Sequence, residues 1–599
     1  MRFKFKRKRQ TDVGTIFLHW CLAATLIVST LTGLRFAVDM PDTGYLDALK
    51  PILPVAKIWI LHIFSGVSVM ALAIAYLFYL RGTGLSRRIW PDRARLAALR
   101  TPGTARWGAI NILLYWVLFF AIALLFMTGL MLHRGYGGQL ADLHLLATWV
   151  VIGYVIAHVL AHFAMGGMTQ LLRVVRPSRI PSPAEDTGAG LSQTPFQKPS
   201  AFAGLRILVL SAVAGLLVGG AYLYFDRLSR DVLYVGQIDK RAAEALNTDL
   251  WNGAWREARP LDVHTNQGVN LDGTGASLVE IRALHDEDTI YFAFTWQDPT
   301  RSLKHAPLIK ARDGWHAMFV RPRNEPQSGV QNVSSGVEHP VSQQANLEGA
   351  INEDKFAIML ANVEKPFGPG AFHPGHKPLA DKPASFSGRG QHYTEDGSAV
   401  DLWLWHADGA ESGRCENNRV GPPTTPTRAQ LRGQTLYKGG YAGSASQAVA
   451  YENFTPQSPR DPSAVVMPIR LPTDYQATRA ALGQVDLDAD HGDDETSRWF
   501  LREDESAPYS PELDASIPIG SIVPGIVAVA PRPETPSDVG CHARWAAGRW
   551  TLLAQRKLDT HANNDAVISD KSFMWVGVFD HTAANHTRHI RPFRLEIVQ

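Results

Sequence analysis

Five stretches of the chain, at residues 15–38, 57–80, 107–132, 141–165 and 203–225, are long and apolar with few polar interruptions. A helix crossing a bilayer needs about 20 mainly apolar residues, so each predicts a transmembrane helix. Residues 177–200 (PSRIPSPAEDTGAGLSQTPFQKPS) are rich in Pro, Ser and Gly and read as a linker between a four-helix unit and a single fifth helix. That fifth span has no charged residue between Arg206 and Asp226 and reads as a tether. Beyond Asp226 the pattern changes to period two. In TIYFAFTWQD, Ile290, Phe292, Phe294 and Trp296 fall on one face; in AVDLWLWHA, Val400, Leu402 and Leu404 alternate with Asp401, Trp403 and Trp405. RWTLLAQRKL and FMWVGVFD read as strands too. Short aromatic strands between long Gly/Pro-rich loops predict a mainly antiparallel β-sandwich. The expected organisation is a four-helix membrane domain at 1–176, a linker at 177–202, a fifth span at 203–225 and a β-sandwich at 226–599.

Charge gives these spans a direction. The formal net charge of +3 conceals 22 Lys+Arg against 8 Asp+Glu in residues 1–225 and 37 against 48 in the remainder. Basic residues crowd alternate connections: six in MRFKFKRKRQ, seven after the second span and four after the fourth, against Lys50 and Arg134 in the other two. The positive-inside rule then sets the N-terminus in the cytoplasm and, after five spans, the β-domain outside, in the periplasm of a bacterial cell with its inner membrane spanned. The first span lacks a small-residue cleavage site and more spans follow closely, so it reads as a span and not a signal peptide. Positive charge beside apolar spans points to the lipid bilayer, not to nucleic acid.

Three cysteines (Cys21, Cys415, Cys541) exclude a disulfide scaffold and a four-thiolate cluster within this chain. No CxxCH, GxxxxGK[ST] or HExxH occurs. Cys415 and Cys541 both fall in the outer region, where a disulfide is chemically allowed.

An ionisable residue within a membrane span is costly and marks function. With the inferred direction, His19 and His158 lie toward the cytoplasm and His62 and His144 toward the outer face, forming two pairs matched in depth. His144 and His158 are 14 residues apart, a rise of about 21 Å that returns to within about 40° of the same helix face. Opposed imidazoles at two levels are what two bis-histidine haems require, and a four-helix core is a usual place to build them. His162, one turn beyond His158, reads as interfacial, with a proton path or a haem propionate as other roles. Gly33, Gly66, Gly129 and Gly153 leave room near the ligands, although helix packing explains small residues equally well.

FLHW, LHIFSG, MTGL and LHLLATWVVIGYVIAHVLAHF in the four spans resemble the bacterial cytochrome b-561 family, which includes the b-type subunits of nickel hydrogenases. The resemblance covers about residues 10–175. It implies two haems b, a quinone-reactive site and electron transfer across the membrane.

In the outer region ALHDEDTIYFAFTWQDPT, EDKFAIMLA, HYTEDGSAVDLWLWHA and GRWTLLAQRKLDT, followed by an FDH…HTRH tail, resemble the haem-binding subunit of ethylbenzene dehydrogenase. That resemblance implies a β-sandwich holding one haem b between a methionine and a lysine. This chain departs at the ligands: PFGPGAFHPGHKP offers His373 and His376, GQHYTEDG offers His392, and FDHTAANHTRH offers His581, His586 and His589. His373 with His586 or His589 is the candidate pair, with Met359 and Met467 as alternatives. DLDADHGDDE resembles a calcium loop, but an EF-hand's Gly and Glu positions are His491 and Ser497 here, so a solvated acidic loop is the simpler reading.

The expected function is membrane electron transfer, with quinol oxidation or quinone reduction as its open chemistry. Electrons would pass between the quinone pool and a periplasmic redox protein or enzyme subunit through two membrane haems b and a third haem in the β-domain. The alternative is a membrane-anchored ligand-binding or sensor module without the third haem.

Overall fold

The computed structural model describes residues 13–38, 44–49, 51–54, 58–134, 139–175 and 201–250 of the N-terminal part. Of the C-terminal part it describes 253–266, 268, 270–318, 351–364, 394, 397–408, 414–422, 424–425, 427–428, 440–443, 450–456, 465–529, 539–562, 565–582, 585–589 and 591–598. The chain separates into two compact units, one of Met1–Leu132 with Gln139–Ser229 and one of His133–Gly138 with Arg230–Gln599.

The first unit holds five long helices: α1 (Val13–Ala37), α2 (Ile58–Gly82), α3 (Thr104–His133), α4 (Gln139–Leu171) and α5 (Ala201–Leu228). All five are long and apolar enough to span a membrane. Their exteriors are apolar as well. On α3, Leu113, Val117, Phe120, Leu124, Met127 and Met131 form an exposed stripe, while Leu118, Ala121 and Ile122 pack inward with Val69, Val151 and Tyr154. An outward apolar face of that extent is stable against lipid, not water.

The fifth helix is more than a tether. It lies against α2, where a Cβ at Gly215 would come within 2.7 Å of the Ala71 carbonyl oxygen and one at Gly219 within 3.6 Å of the Ala71 Cβ. These two glycines make a small-xxx-small contact that lets backbones approach closely. Near the C-terminal end of α4, Gly167 has a φ of 60° and breaks the helical geometry beside Gly166. That left-handed backbone favours glycine.

The second unit is built on one 12-stranded sheet. Its strands are β1 (Val232–Gln237), β2 (Leu261–Thr265), β3 (Ser277–His285), β4 (Thr289–Gln297), β5 (Lys355–Ala361) and β6 (Val400–His406). They continue with β7 (Arg414–Val420), β8 (Tyr441–Ala442), β9 (Gly540–Trp545), β10 (Arg549–Lys557), β11 (Phe573–Phe579) and β12 (Phe593–Ile597). The order is β8-β7-β6-β5-β11-β12-β1-β3-β4-β10-β9, with β2 pairing on β3. Most neighbours are antiparallel; β1 is parallel to both β12 and β3. The sheet curls until its two ends meet, and a disulfide joins Cys415 on β7 to Cys541 on β9 with Cα atoms 6.0 Å apart. The enclosed core draws Phe292, Phe294 and Trp296 from one flank and Phe356, Trp403 and Trp405 from the other.

Both faces of β5, β6 and β11 are buried. Val400, Leu402 and Leu404 turn away from the main core into a second apolar cluster with Ala357, Met359, Ala361, Trp575 and Phe579. The alternation read in AVDLWLWHA is therefore correct in phase, but its two faces are two buried surfaces. Asp401 shares the main-core face of β6 because Arg556 Nη1 donates to its Oδ2 at 2.5 Å. The Arg556 guanidinium also lies 5.2 Å above the Trp403 ring.

Candidate haem sites

In the membrane unit, His62 on α2 faces His144 on α4 with ring centres 6.2 Å apart. His19 on α1 faces His158 on α4 at 6.5 Å. A metal held between two imidazoles, with bonds of about 2.0–2.1 Å and roughly 1.1 Å from each nitrogen to its ring centre, puts the centres about 6.3 Å apart. Both pairs are spaced so that they would hold a metal between them.

The side chains around the rings fix which nitrogen faces the partner. His144 Nδ1 lies 2.8 Å from Thr128 Oγ1, whose own hydroxyl donates to Leu124 O. His62 Nδ1 lies 3.1 Å from Ser29 O and 3.0 Å from Thr32 Oγ1, and that hydroxyl donates to Val28 O. In both cases Nδ1–H is the donor, which leaves the Nε2 lone pair for a metal. The residue after each threonine is the glycine that makes space. A Cβ at Gly33 would come within 3.0 Å of His62 Cε1, and one at Gly129 within 3.2 Å of His144 Cε1. Thr32-Gly33-Leu34 on α1 therefore supports His62 as Thr128-Gly129-Leu130 on α3 supports His144. The two supports share the tripeptide TGL.

The second pair is oriented differently. Asn111 on α3, buried in the unit, places Oδ1 2.9 Å from His158 Nδ1. Its Nδ2 donates to Tyr115 OH at 2.9 Å and approaches His162 Nε2 at 3.2 Å. Gln170, beyond the Gly167 kink, brings Nε2 within 3.5 Å of His162 Nδ1. His162 is thus turned into a polar cluster beside His158. Asn111 is the candidate that the histidine pattern missed; a lone amide inside an apolar span was the available signal.

In the β-domain the candidate ligands are scattered. His373, like His376 and His392, lies outside the described residues. His586 is buried with its ring 4.8 Å from that of Phe579, and its Nδ1 lies 2.7 Å from Thr587 O. His589 accepts from Val576 N on Nε2 at 3.0 Å and has Nδ1 2.8 Å from Arg591 O. Both of its nitrogens are thus engaged with backbone, and burial lowers its pKa to about 4, so this neutral ring fastens the C-terminal tail to β11. Met359 is buried in the second apolar cluster with Phe579, whereas Met467 is 40% exposed on a short strand of a separate sheet. Met359 pairs across the strands with Trp575, whereas Phe579, the neighbour of His586, pairs with Lys355 four residues further along β5, so the structure does not bring Met359 and His586 together.

At the edge of the apolar face of β5, β6 and β11 lies a buried polar network. Glu353 takes His305 Nδ1 on one oxygen and His406 Nδ1 on the other, each at 2.7 Å, with Lys355 Nζ 3.6 Å away. Burial opposes a charge on His305, but the Glu353 carboxylate outweighs it and pushes the pKa up to about 10. In the acidic loop flagged in the sequence, Asp486 accepts from Asp488 N, and its Oδ2 lies 2.7 Å from His491 Nδ1.

Apolar helices with paired intramembrane imidazoles define a membrane b-type cytochrome as the class. Comparison with known families agrees: the prokaryotic cytochrome b561 model matches residues 10–176, and the ethylbenzene dehydrogenase model matches residues 252–591. The chain belongs to the ethylbenzene dehydrogenase family, with a cytochrome b561 membrane domain preceding that region. No curated protein matches it.

Proposed function

We propose that the protein carries electrons between the membrane quinone pool and a redox partner on the periplasmic side. In this reading His19 with His158 and His62 with His144 hold two haems b, and the β-domain holds a third. The observation that carries it is the separation of the two imidazole pairs, 6.2 and 6.5 Å between ring centres. Bound haem supplies a one-electron iron couple whose potential the axial ligands and their hydrogen bonds tune. Thr32, Thr128 and Asn111 hold the Nδ1 protons, which keeps each Nε2 available as ligand. The cluster of Asn111, Tyr115, His162 and Gln170 is where we place proton exchange with the quinone, because polar groups at membrane depth are costly without a task.

Two observations support the placement outside for the β-domain: the alternating basic connections and the Cys415–Cys541 disulfide, a bond that persists in oxidising compartments. The four-helix unit with α5 packed on α2 remains the bundle in this proposal. For the third haem, His373 with His586 or His589 stays the candidate pair, with Met359 and Met467 as alternatives.

The test is the pyridine haemochrome count on the purified full-length protein, followed by reduction with a short-chain quinol. Three haems b per chain, reducible by quinol, are expected. A colourless protein would overturn the proposal, and two haems would remove the β-domain from the electron path.

A further inference from the structure

A second set of buried groups, away from the imidazole pairs, gathers where β4, β5 and β11 end. Asp298 follows β4, Asp354 precedes β5, and Asp580 with His581 follows β11. Asp298 and Asp354 are fully buried and Asp580 nearly so, at 2% exposure. Atoms of Asp354, Asp580 and His581 lie within 4.8 Å of one another, and Asp298 is close enough to act electrostatically on both aspartates.

The hydrogen bonds leave specific atoms over. Asp354 accepts from Ser302 N at 2.8 Å, Trp550 Nε1 at 3.1 Å and His581 N at 3.1 Å. Asp580 Oδ2 accepts from Leu271 N at 2.6 Å. Asp298 Oδ1 takes Thr300 N at 3.2 Å and Thr300 Oγ1 at 3.4 Å. Among the described residues, no hydrogen bond reaches Asp298 Oδ2 or Ser302 Oγ, while His581 Nδ1 and Asp580 Oδ1 pair with each other at 2.5 Å. Buried polar atoms are nearly always satisfied, and two orphans beside three buried carboxylates mark a missing partner. Charge says what kind. Three carboxylates face one imidazole, while the neighbouring cations serve other groups: Lys304 Nζ pairs with Asp493 at 2.9 Å, and Arg301 donates to Asp494 O. A water molecule would supply hydrogen bonds but no positive charge.

We propose that this cluster is a divalent-cation site of the calcium type. The carboxylates of Asp298, Asp354 and Asp580 and the hydroxyl of Ser302 are its oxygen ligands, and His581 holds Asp580 from behind. A set dominated by oxygen suits a hard cation better than zinc or copper. The ion would clamp the end of β4 to the ends of β5 and β11, so it joins the two flanks of the curled sheet opposite each other in the core.

The experiment uses the full chain in detergent after chelator treatment. Calcium is added while the melting of the β-domain is followed, and terbium binding is read by luminescence sensitised through Trp550, whose Nε1 bonds Asp354. One site per chain and a calcium-dependent rise in Tm are expected. Asp298→Asn should weaken binding more than about tenfold, and His581→Gln by about tenfold to a hundredfold. Without calcium, Asp298→Asn should melt no lower than the wild type, because it removes one of three like charges and no hydrogen bond to Oδ2. This separates loss of a ligand from loss of the fold. Absence of calcium and terbium binding would overturn the proposal, as would wild-type affinity in Asp298→Asn and Asp580→Asn. Stabilisation by zinc but not calcium would overturn the calcium assignment.

Discussion

Replacing Thr128 by valine removes the oxygen that holds His144 Nδ1 and little else. A hydrogen-bonded Nδ1–H makes imidazole a more basic ligand and favours ferric iron. Thr128→Val should therefore raise the midpoint potential of one b-type component and leave the other in place; a redox titration with both potentials unchanged would contradict the assignment. At His305 the expected effect is on stability. Its pKa is raised from 6.5 to about 10 by Glu353, so the stabilisation is complete below pH 6.5 and is lost as pH rises through about 10. Chemical denaturation across that range should show the decline, and His305→Gln should flatten it. The paired histidines were legible because ionisable groups stand out in apolar spans. Thr32 and Thr128 were not, because a helical threonine bonds its own preceding turn whether or not it also serves a neighbour, as Thr32 does with Val28 O.

The apolar runs and the period-two segments located the helices and strands, since each pattern reflects one exposed or buried face. Contacts between elements were harder to read. The glycines at 215 and 219 look like ordinary small residues in a hydrophobic run, and only the path of α5 along α2 gives them meaning. Gly215→Leu should push α5 away from Ala71, where even a Cβ comes within 2.7 Å of the carbonyl oxygen. A lower Tm of the detergent-solubilised membrane unit is expected, with Gly220→Leu, where a Cβ meets nothing within 4 Å, as the tolerated control. In the β-domain the phase of β6 was legible, but not that its second face is covered by Met359, Trp575 and Phe579. Period two reports alternation and says nothing about what lies beyond each face.

At the scale of the molecule, the sheet closes because β7 and β9 come together and Cys415 bonds Cys541 across 126 residues of chain. The loop-entropy model assigns a cross-link of that span about 5 kcal/mol, and native disulfides typically contribute about 2–4 kcal/mol. Cys415→Ser should therefore lower the thermal midpoint of the β-domain under oxidising conditions, and added reductant should bring the wild type down to the same value. The sequence could allow this bond but not demonstrate it, because reach depends on how far the sheet curls. The account as a whole rests on iron held at two depths by opposed histidines. The most direct measurement is the low-temperature absorption spectrum of dithionite-reduced His144→Ala and His158→Ala variants beside the wild type. Each variant should lose a different one of two b-type components and keep the other; spectra in which neither substitution removes a component would contradict the assignment.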